Sequence, residues 1–159
     1  MFFESNSMIN IVEQFYAAFQ RRDALTMNSC YADIATFRDP IFDLDYTNTC
    51  AMWEMLCQNA REFNLEYQIV EQTETQATVK WIAKYRFSKT GRMVTNHVTT
   101  TMLLQDNKII KQVDRFNLWR WSAQALGFIG MVLGWDPLFR SKLRKSARER
   151  LVIFCDNTL

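Results

Sequence analysis

Residues 77 to 119 alternate apolar and polar side chains with a period of two, and this feature constrains the fold more than any other. In the first stretch Trp81 and Tyr85 fall on one side of the chain, whereas Lys80 and Lys84 fall on the other. Such alternation is typical of strands that bury one face, so it predicts long strands in an antiparallel meander. The predicted strands cover residues 77–87, 94–104 and 109–119, with turns at 89–92 and 105–108.

The part of the chain before this meander repeats its apolar residues mainly at helical spacing. From Met8 to Phe19 they recur three and four positions apart, and Ser7 precedes them as a helix cap. Pro40 interrupts a short apolar stretch that predicts a strand. The predicted elements are helices at 7–22, 23–31 and 49–61 and strands at 35–42 and 65–71. Helices followed by a sheet predict the α+β class.

The C-terminal part combines an apolar segment with a basic one. Residues 121–135 are mostly apolar, but they are too few for a membrane-spanning helix, which takes about 20 residues. An amphipathic helix is predicted after Pro137, and residues 140–150 contain six basic residues against one acidic residue. Segment 121–154 therefore predicts a lid over the sheet, a contact to a second copy, or a weak attachment to anionic membranes. No motif that binds nucleic acid accompanies these charges.

The composition argues against metal and phosphate chemistry. The four cysteines form no C-x-x-C pair and the chain has one histidine, so no zinc site is expected. Asp43 and Asp45 form a D-x-D pair without further ligands, which predicts an exposed loop. Four glycines leave little material for a phosphate-binding loop, and no cofactor is expected. The N-terminus lacks a basic segment followed by an apolar run, so a cytoplasmic protein with reduced thiols is expected.

Four short segments are shared with a known superfamily. They are 31–40 (YADIATFRDP), 91–92 (GR), 107–110 (NKII) and 114–122 (DRFNLWRWS). Through them the chain resembles the nuclear transport factor 2-like superfamily, in its bacterial SnoaL-like (polyketide cyclase-like) branch. The resemblance implies an α+β cone, in which a curved, mainly antiparallel sheet wraps around the N-terminal helices. It implies a cone at residues 1–122, a helical extension at 123–159 packed on the same domain, and a homodimer formed through the convex sheet face.

The same resemblance implies a pocket at the open end of the cone and a small apolar or polycyclic ligand. The superfamily includes isomerases, cyclases, epoxide hydrolases, dehydratases and proteins that only bind, so the fold leaves the activity open. We therefore expect either acid/base chemistry of the isomerase, cyclase or dehydratase kind, or a non-catalytic binding protein.

Two aspartates are the catalytic candidates, and both come from the resemblance. Asp39 stands where the related ketosteroid isomerases carry their general base, although it can equally cap the Asp-Pro turn. The places of the isomerase oxyanion donors correspond to Phe15 and Thr100, which disfavours that reaction. Asp114 resembles an aspartate of the limonene-type epoxide hydrolases, whose partner Arg and Asp correspond here to Trp81 and Ala83. Epoxide hydrolysis is therefore disfavoured as well.

Asp114 retains two interpretations that the sequence does not separate. It serves as a general acid/base, or it is an inward acid held by hydrogen bonds to Asn96, Tyr85 or Gln112. His97 falls on the outer face by strand alternation, so a Ser-His-Asp site is not expected.

A set of mostly aromatic residues is the candidate ligand-binding wall, with the alternative that they form plain core. The candidates are Phe15, Tyr16, Trp53, Trp81, Tyr85, Asn96, Thr100, Phe116 and Trp119.

Overall fold

The computed structural model describes residues 9–158, which form six helices and six strands. The mixed α+β class predicted from the sequence is confirmed. The elements in chain order are α1 (Ile11–Gln20), α2 (Ala24–Ser29), β1 (Tyr31–Arg38), β2 (Asp43–Leu44), α3 (Tyr46–Asn59), β3 (Arg61–Gln72), β4 (Gln76–Arg86), β5 (Met93–Gln105), β6 (Lys108–Arg115), α4 (Leu118–Leu126), α5 (Phe128–Leu133) and α6 (Pro137–Asn157).

The six strands form one sheet in the order β2-β1-β6-β5-β4-β3. Strands β3 to β6 pair antiparallel with their chain neighbours, which confirms the meander, and β1 joins β6 in parallel. Alternation on β4 is as predicted, because Trp81 is buried while Lys80 is exposed. His97 is exposed on the outer side of β5, also as predicted. The register places Thr100 opposite Asp114, which brings the two side chains together on the inner face.

Helices α1 and α3 cover the inner face of the sheet with aromatic side chains. Phe15 of α1 meets Trp53 of α3 edge-on, with ring centroids 5.8 Å apart, and Phe19 meets the same indole at 5.0 Å. Phe37 of β1 packs against Trp53 from the sheet side at 5.6 Å. Edge-to-face pairs of this kind add to the free energy of burying each ring. Trp53 is therefore the centre of the layer between helices and sheet.

Several element boundaries differ from the prediction for local reasons. The first helix begins at Ile11 because Asn10 caps it, accepting from the Val12 amide at 3.0 Å, and the predicted cap Ser7 lies outside the described residues. The strand predicted at 35–42 instead runs from Tyr31 to Arg38, since residues 39–42 form a turn. The predicted exposed-loop residue Asp45 caps α3, accepting from the Asn48 amide at 3.0 Å.

The strand predicted at 109–119 is too long. Strand β6 ends at Arg115, and Asn117 caps α4 by accepting from the Arg120 amide at 3.0 Å. Leu118 and Trp119 therefore lie in a helix, where strand alternation no longer decides which way they point. The predicted division between residues 122 and 123 falls inside this helix.

The C-terminal segment folds back as three helices, as the lid interpretation predicted. Helix α6 packs along α3, and its Leu151 is buried. Five of the six basic residues in 140–150 are exposed, whereas Arg140 is half-buried and its Nε donates to the Gly134 carbonyl at 2.7 Å. None of the helices between residues 9 and 158 is long and apolar enough to span a membrane.

Candidate functional site

A cavity of about 290 Å³ lies between the inner face of the sheet, α3 and α6. Its wall is mostly apolar, and it contains both candidate aspartates. The predicted site residues that line it are Asp39, Trp53, Trp81, Tyr85, Asn96, Asp114 and Phe116. The size and the apolar wall suit a small hydrophobic molecule oriented by few polar groups.

Asp114 is the buried carboxyl of this cavity, with 4% of its surface exposed. Its Oδ1 accepts hydrogen bonds from Thr100 Oγ1 at 2.7 Å and from Gln112 Nε2 at 3.0 Å. Within residues 9–158 its other oxygen, Oδ2, accepts none, so this atom is left for a ligand. Burial raises the pKa of Asp114 to about 7, although the two hydrogen bonds oppose the rise.

Both donors to Asp114 are themselves fixed by a buried hydrogen-bond network. Trp81 Nε1 donates to Thr100 Oγ1 at 2.7 Å, so the Thr100 hydroxyl has its own proton free for Asp114. Tyr31 Oη donates to Gln112 Oε1 at 2.5 Å and accepts from Trp53 Nε1 at 2.9 Å. These two hydrogen bonds orient the Gln112 side-chain amide so that its nitrogen faces the Asp114 carboxylate. The geometry of Asp114 is therefore set before any ligand enters.

Asp39 lies at the turn that follows β1, on the wall of the same cavity. Its Oδ1 accepts from the backbone amides of Ile41 at 2.7 Å and Phe42 at 2.6 Å. The alternative interpretation as a turn cap is thus confirmed, together with the position in the cavity. Burial raises the pKa of Asp39 to about 6, against the effect of these two amides.

The charge of one carboxyl acts on the other across the cavity. The charge of Asp39 adds to the rise in the pKa of Asp114, after the larger effect of burial. The pair therefore holds a proton near neutral pH more readily than two exposed aspartates do. One ionised and one protonated carboxyl in an apolar cavity supply a base and an acid at the same time.

Four predicted site residues do not line the cavity. Phe15 and Tyr16 of α1 and Thr100 of β5 are buried behind its wall. The Tyr16 hydroxyl is buried without a hydrogen-bond partner among the described residues. Trp119 was placed wrongly because it belongs to α4, where Nε1 donates to the Met131 carbonyl at 2.9 Å.

Of the three polar partners that the sequence offers for Asp114, the structure confirms Gln112. Other members of the site are not predicted by the sequence. It places Tyr31 at the end of a helix, where nothing marks the residue as part of the Asp114 network. It places Trp121 in the lid segment, yet Trp121 Nε1 donates to Tyr85 Oη at 2.8 Å and the residue lines the cavity. The other lining residues that were missed include Phe19, Phe37, Met52, Phe63, Leu126, Leu143 and Ala147.

A second hollow of about 640 Å³ lies along β1 and β6. It shares Phe37, Asp39, Asp114 and Phe116 with the first cavity, so these residues form the wall between the two. Among residues 9–158 there is no group of three or more His, Cys, Asp or Glu side chains placed to hold a metal ion.

Comparison with known proteins places the chain in a family. A family model described as SnoaL-like domain matches residues 12–112, which is more than half of the chain. A comparison with curated proteins gives no match.

Solved structures with the same architecture are described as several kinds of protein. A putative polyketide cyclase from Pseudomonas putida superposes with a TM-score of 0.64 at 15% identity, covering 72% of this chain and 95% of that one. An LEH-like epoxide hydrolase from M. tuberculosis gives 0.59 at 18% identity, covering 79% and 95%. A protein with a ketosteroid isomerase-like fold from Catenulispora acidiphila, in complex with trimethylamine, gives 0.61 at 12% identity, covering 75% and 94%. Likeness at these identities shows the fold alone, and it confirms the predicted cone.

Proposed function

This chain belongs to the SnoaL-like domain family of the nuclear transport factor 2-like superfamily, and we propose that it binds a small apolar or polycyclic molecule and moves a proton on it. Asp39 is the general base in this proposal and Asp114 is the acid that accompanies it, because the pKa of Asp39 (about 6) is lower than that of Asp114 (about 7). The reaction class is isomerisation, cyclisation or dehydration, each of which requires proton transfer next to a carbonyl or hydroxyl group.

The observation that carries the proposal is the arrangement around Asp114. A buried carboxyl normally costs stability, and this one is held by Thr100 and Gln112 with one oxygen left over. A positioned group with a pKa near the working pH is the most effective general base or acid. A carboxyl with no chemical role has no need of such a site, because an apolar residue would fill the same space at lower cost.

The proton transfer follows from these positions. Ionised Asp39 takes a proton from the carbon next to a carbonyl, and the electron pair of that C–H bond moves toward the carbonyl oxygen. Protonated Asp114 donates its proton to that oxygen, which neutralises the charge that develops there. Asp39 ends protonated and Asp114 ionised. Return of the proton from Asp39 to another carbon, together with return of the enol O–H proton to Asp114, completes an isomerisation and restores both carboxyls.

A second candidate function is binding without catalysis. Asp39 Oδ1 is already engaged by the amides of Ile41 and Phe42, which is sufficient reason for an aspartate at this turn. In that case the cavity holds an apolar molecule, and Asp114 only orients it through a hydrogen bond.

Deuterium exchange into 2-tetralone tests the proposal without knowledge of the natural substrate. This bicyclic ketone has acidic C–H groups next to its carbonyl, so a base in the cavity should accelerate their exchange in D2O. We expect the wild type to exceed Asp39→Asn by about 100-fold or more in exchange rate, which is the usual contribution of a positioned base. The measurement is loss of the C–H signals by NMR.

The matched control is Asp106→Asn, which alters an exposed aspartate in the turn between β5 and β6 and should leave the exchange rate unchanged. Saturation-transfer NMR reports binding of tetralone in the same samples. Binding with no acceleration by the wild type would instead support the binding protein, and equal rates for wild type and Asp39→Asn would exclude Asp39 as the base.

A further inference from the structure

We propose that the protein docks on an anionic lipid bilayer through an exposed apolar surface at α5 and the start of α6. This surface, called here the apolar cap, consists of side chains that are 41% to 74% exposed. Its members are Phe128, Ile129, Met131, Val132, Leu133, Trp135 and Leu138. Monomeric proteins rarely expose so much adjacent apolar surface unless it contacts a partner or a membrane.

The exposure of the apolar cap follows from how α5 packs. Helix α5 rests on α4 through Gly130, where an added Cβ would lie 1.9 Å from the Ser122 carbonyl oxygen. Gly130 is the only residue of α5 that is buried against α4, and the other five residues of the helix are exposed. A glycine is required at this position for the two backbones to approach so closely.

The apolar cap is held in place by specific contacts. Trp119 Nε1 donates to the Met131 carbonyl at 2.9 Å, and its ring stacks on Trp135 with centroids 5.3 Å apart. The Arg140 guanidinium donates to the Gly134 carbonyl at 2.7 Å, which fixes the start of α6 against the end of α5. These contacts fix the backbone of α5 and the start of α6 relative to α4.

The charges beside the apolar cap identify a bilayer as the occupant. Leu138 shares one exposed face of α6 with Lys142 and Lys145, four and seven positions later. An apolar surface next to lysines is typical of proteins that insert at the lipid headgroup boundary, where a Trp such as Trp135 is also favoured. A second copy packed face to face would bring its own lysines against these, and the repulsion disfavours that partner.

The apolar cap lies next to the ligand cavity. Leu126 of α4 and Leu143 of α6 both line the cavity, and the cap lies between them in the chain. Docking would therefore bring the cavity wall close to the lipid, from which an apolar ligand is available. This connection rests on the proposed function, whereas the docking itself does not.

Co-sedimentation with vesicles tests the apolar part of the proposal. Vesicles of phosphatidylcholine mixed with phosphatidylglycerol should sediment the wild type at low ionic strength, and Phe128→Ser/Val132→Ser should lose at least about tenfold in partition coefficient because it removes two inserted side chains. The matched control Val70→Ser changes an exposed apolar residue of β3 and should bind as the wild type does. Circular dichroism verifies that each variant is folded.

A second pair of variants tests the charges. Lys142→Gln/Lys145→Gln should lower the partition coefficient by about 25-fold, since each cation near an anionic surface contributes about fivefold. Lys80→Gln/Lys84→Gln removes the same charge from the outer face of β4 and should change binding little. High ionic strength should reduce wild-type binding through screening.

Three results would overturn the proposal. The first is absence of sedimentation at low ionic strength, and the second is equal sedimentation with phosphatidylcholine alone. The third is a wild-type dimer in light scattering that Phe128→Ser/Val132→Ser converts to a monomer, because the apolar cap would then be covered by a second copy. A dimer that survives this substitution and still binds vesicles supports the proposal.

Discussion

Asp114→Asn is expected to raise the free energy of unfolding by about 4 kcal/mol at pH 8 and by less than about 1 kcal/mol at pH 4. The pKa of this carboxyl is about 7 in the folded protein against an ordinary value of 3.8. Each unit of difference corresponds to about 1.4 kcal/mol. Asparagine has nearly the same shape, and its side-chain oxygen can accept from Thr100 and Gln112 as Asp114 Oδ1 does.

The direction of the effect follows from proton binding. Folding raises the pKa of Asp114, so the folded protein binds this proton more tightly than the unfolded chain does. The contribution of Asp114 to the free energy of unfolding therefore falls as the pH rises from 3.8 to about 7, and it stays constant at higher pH. The asparagine variant does not lose stability in this way. The difference in the free energy of unfolding between the two proteins therefore grows between pH 3.8 and about pH 7.

Urea unfolding of wild type, Asp114→Asn and the exposed control Asp106→Asn at pH 4, 6 and 8 measures this difference. The control should follow the wild type at every pH. A gap between wild type and Asp114→Asn that does not change with pH would mean that Asp114 is ionised in the folded protein like an ordinary surface aspartate.

Trp53→Ala is expected to lower the free energy of unfolding by about 4 kcal/mol, the usual cost of truncating a large buried aromatic residue. Only 3% of the Trp53 surface is exposed, and its ring packs against those of Phe15, Phe19 and Phe37. The substitution also removes the indole N–H that donates to Tyr31 Oη. Urea unfolding at a single pH measures the change.

Trp53→Phe separates packing from hydrogen bonding. Phenylalanine keeps most of the ring contacts but has no donor, so a loss of about 1 kcal/mol beyond the change in volume is expected. The Tyr31 hydroxyl still donates to Gln112, so the substitution leaves no buried donor without an acceptor. The exposed control Phe128→Ala should change stability by no more than about 0.5 kcal/mol. A loss below about 1 kcal/mol for Trp53→Ala would show that this layer is not tightly packed.

The sheet and the inner face of the site were predictable from sequence because one strand carries an unambiguous alternation. Lys80 and Lys84 cannot face an apolar core, so Trp81, Ala83 and Tyr85 must. Once the inner face of β4 is known, the short turns fix the register of β5 and β6 and therefore which of their residues share that face. Asp114 is one of them.

The end of β6 was not predictable from periodicity, because the apolar pattern continues through Phe116 and Leu118 into the helix. The deciding signal is Asn117, a strong helix cap, which competes with strand alternation at this point. For this reason strand alternation wrongly places Trp119 on the inner face of β6. Tyr31 is not recognised as a strand residue because α2 ends only two residues before it, and no turn residue marks the boundary between the helix and β1.

The contribution of α6 to the cavity depends on tertiary packing, which the sequence shows only in outline. The amphipathic pattern predicted a helix that folds back, and the structure confirms it. Which of its side chains reach the cavity is decided by its crossing of α3, and these are Leu143, Ser146, Ala147 and Arg150.

The central claim is that the cavity contains a carboxyl pair that gains and loses a proton near neutral pH. Titration of the aspartate side-chain carboxyls by 13C NMR tests it most directly, with Asp114→Asn and Asp39→Asn identifying the two resonances. We expect apparent pKa values of about 7 and about 6 for the pair, and both should move when 2-tetralone is added. Titration of both carboxyls near the ordinary value of 3.8, with no response to the ketone, would contradict the account.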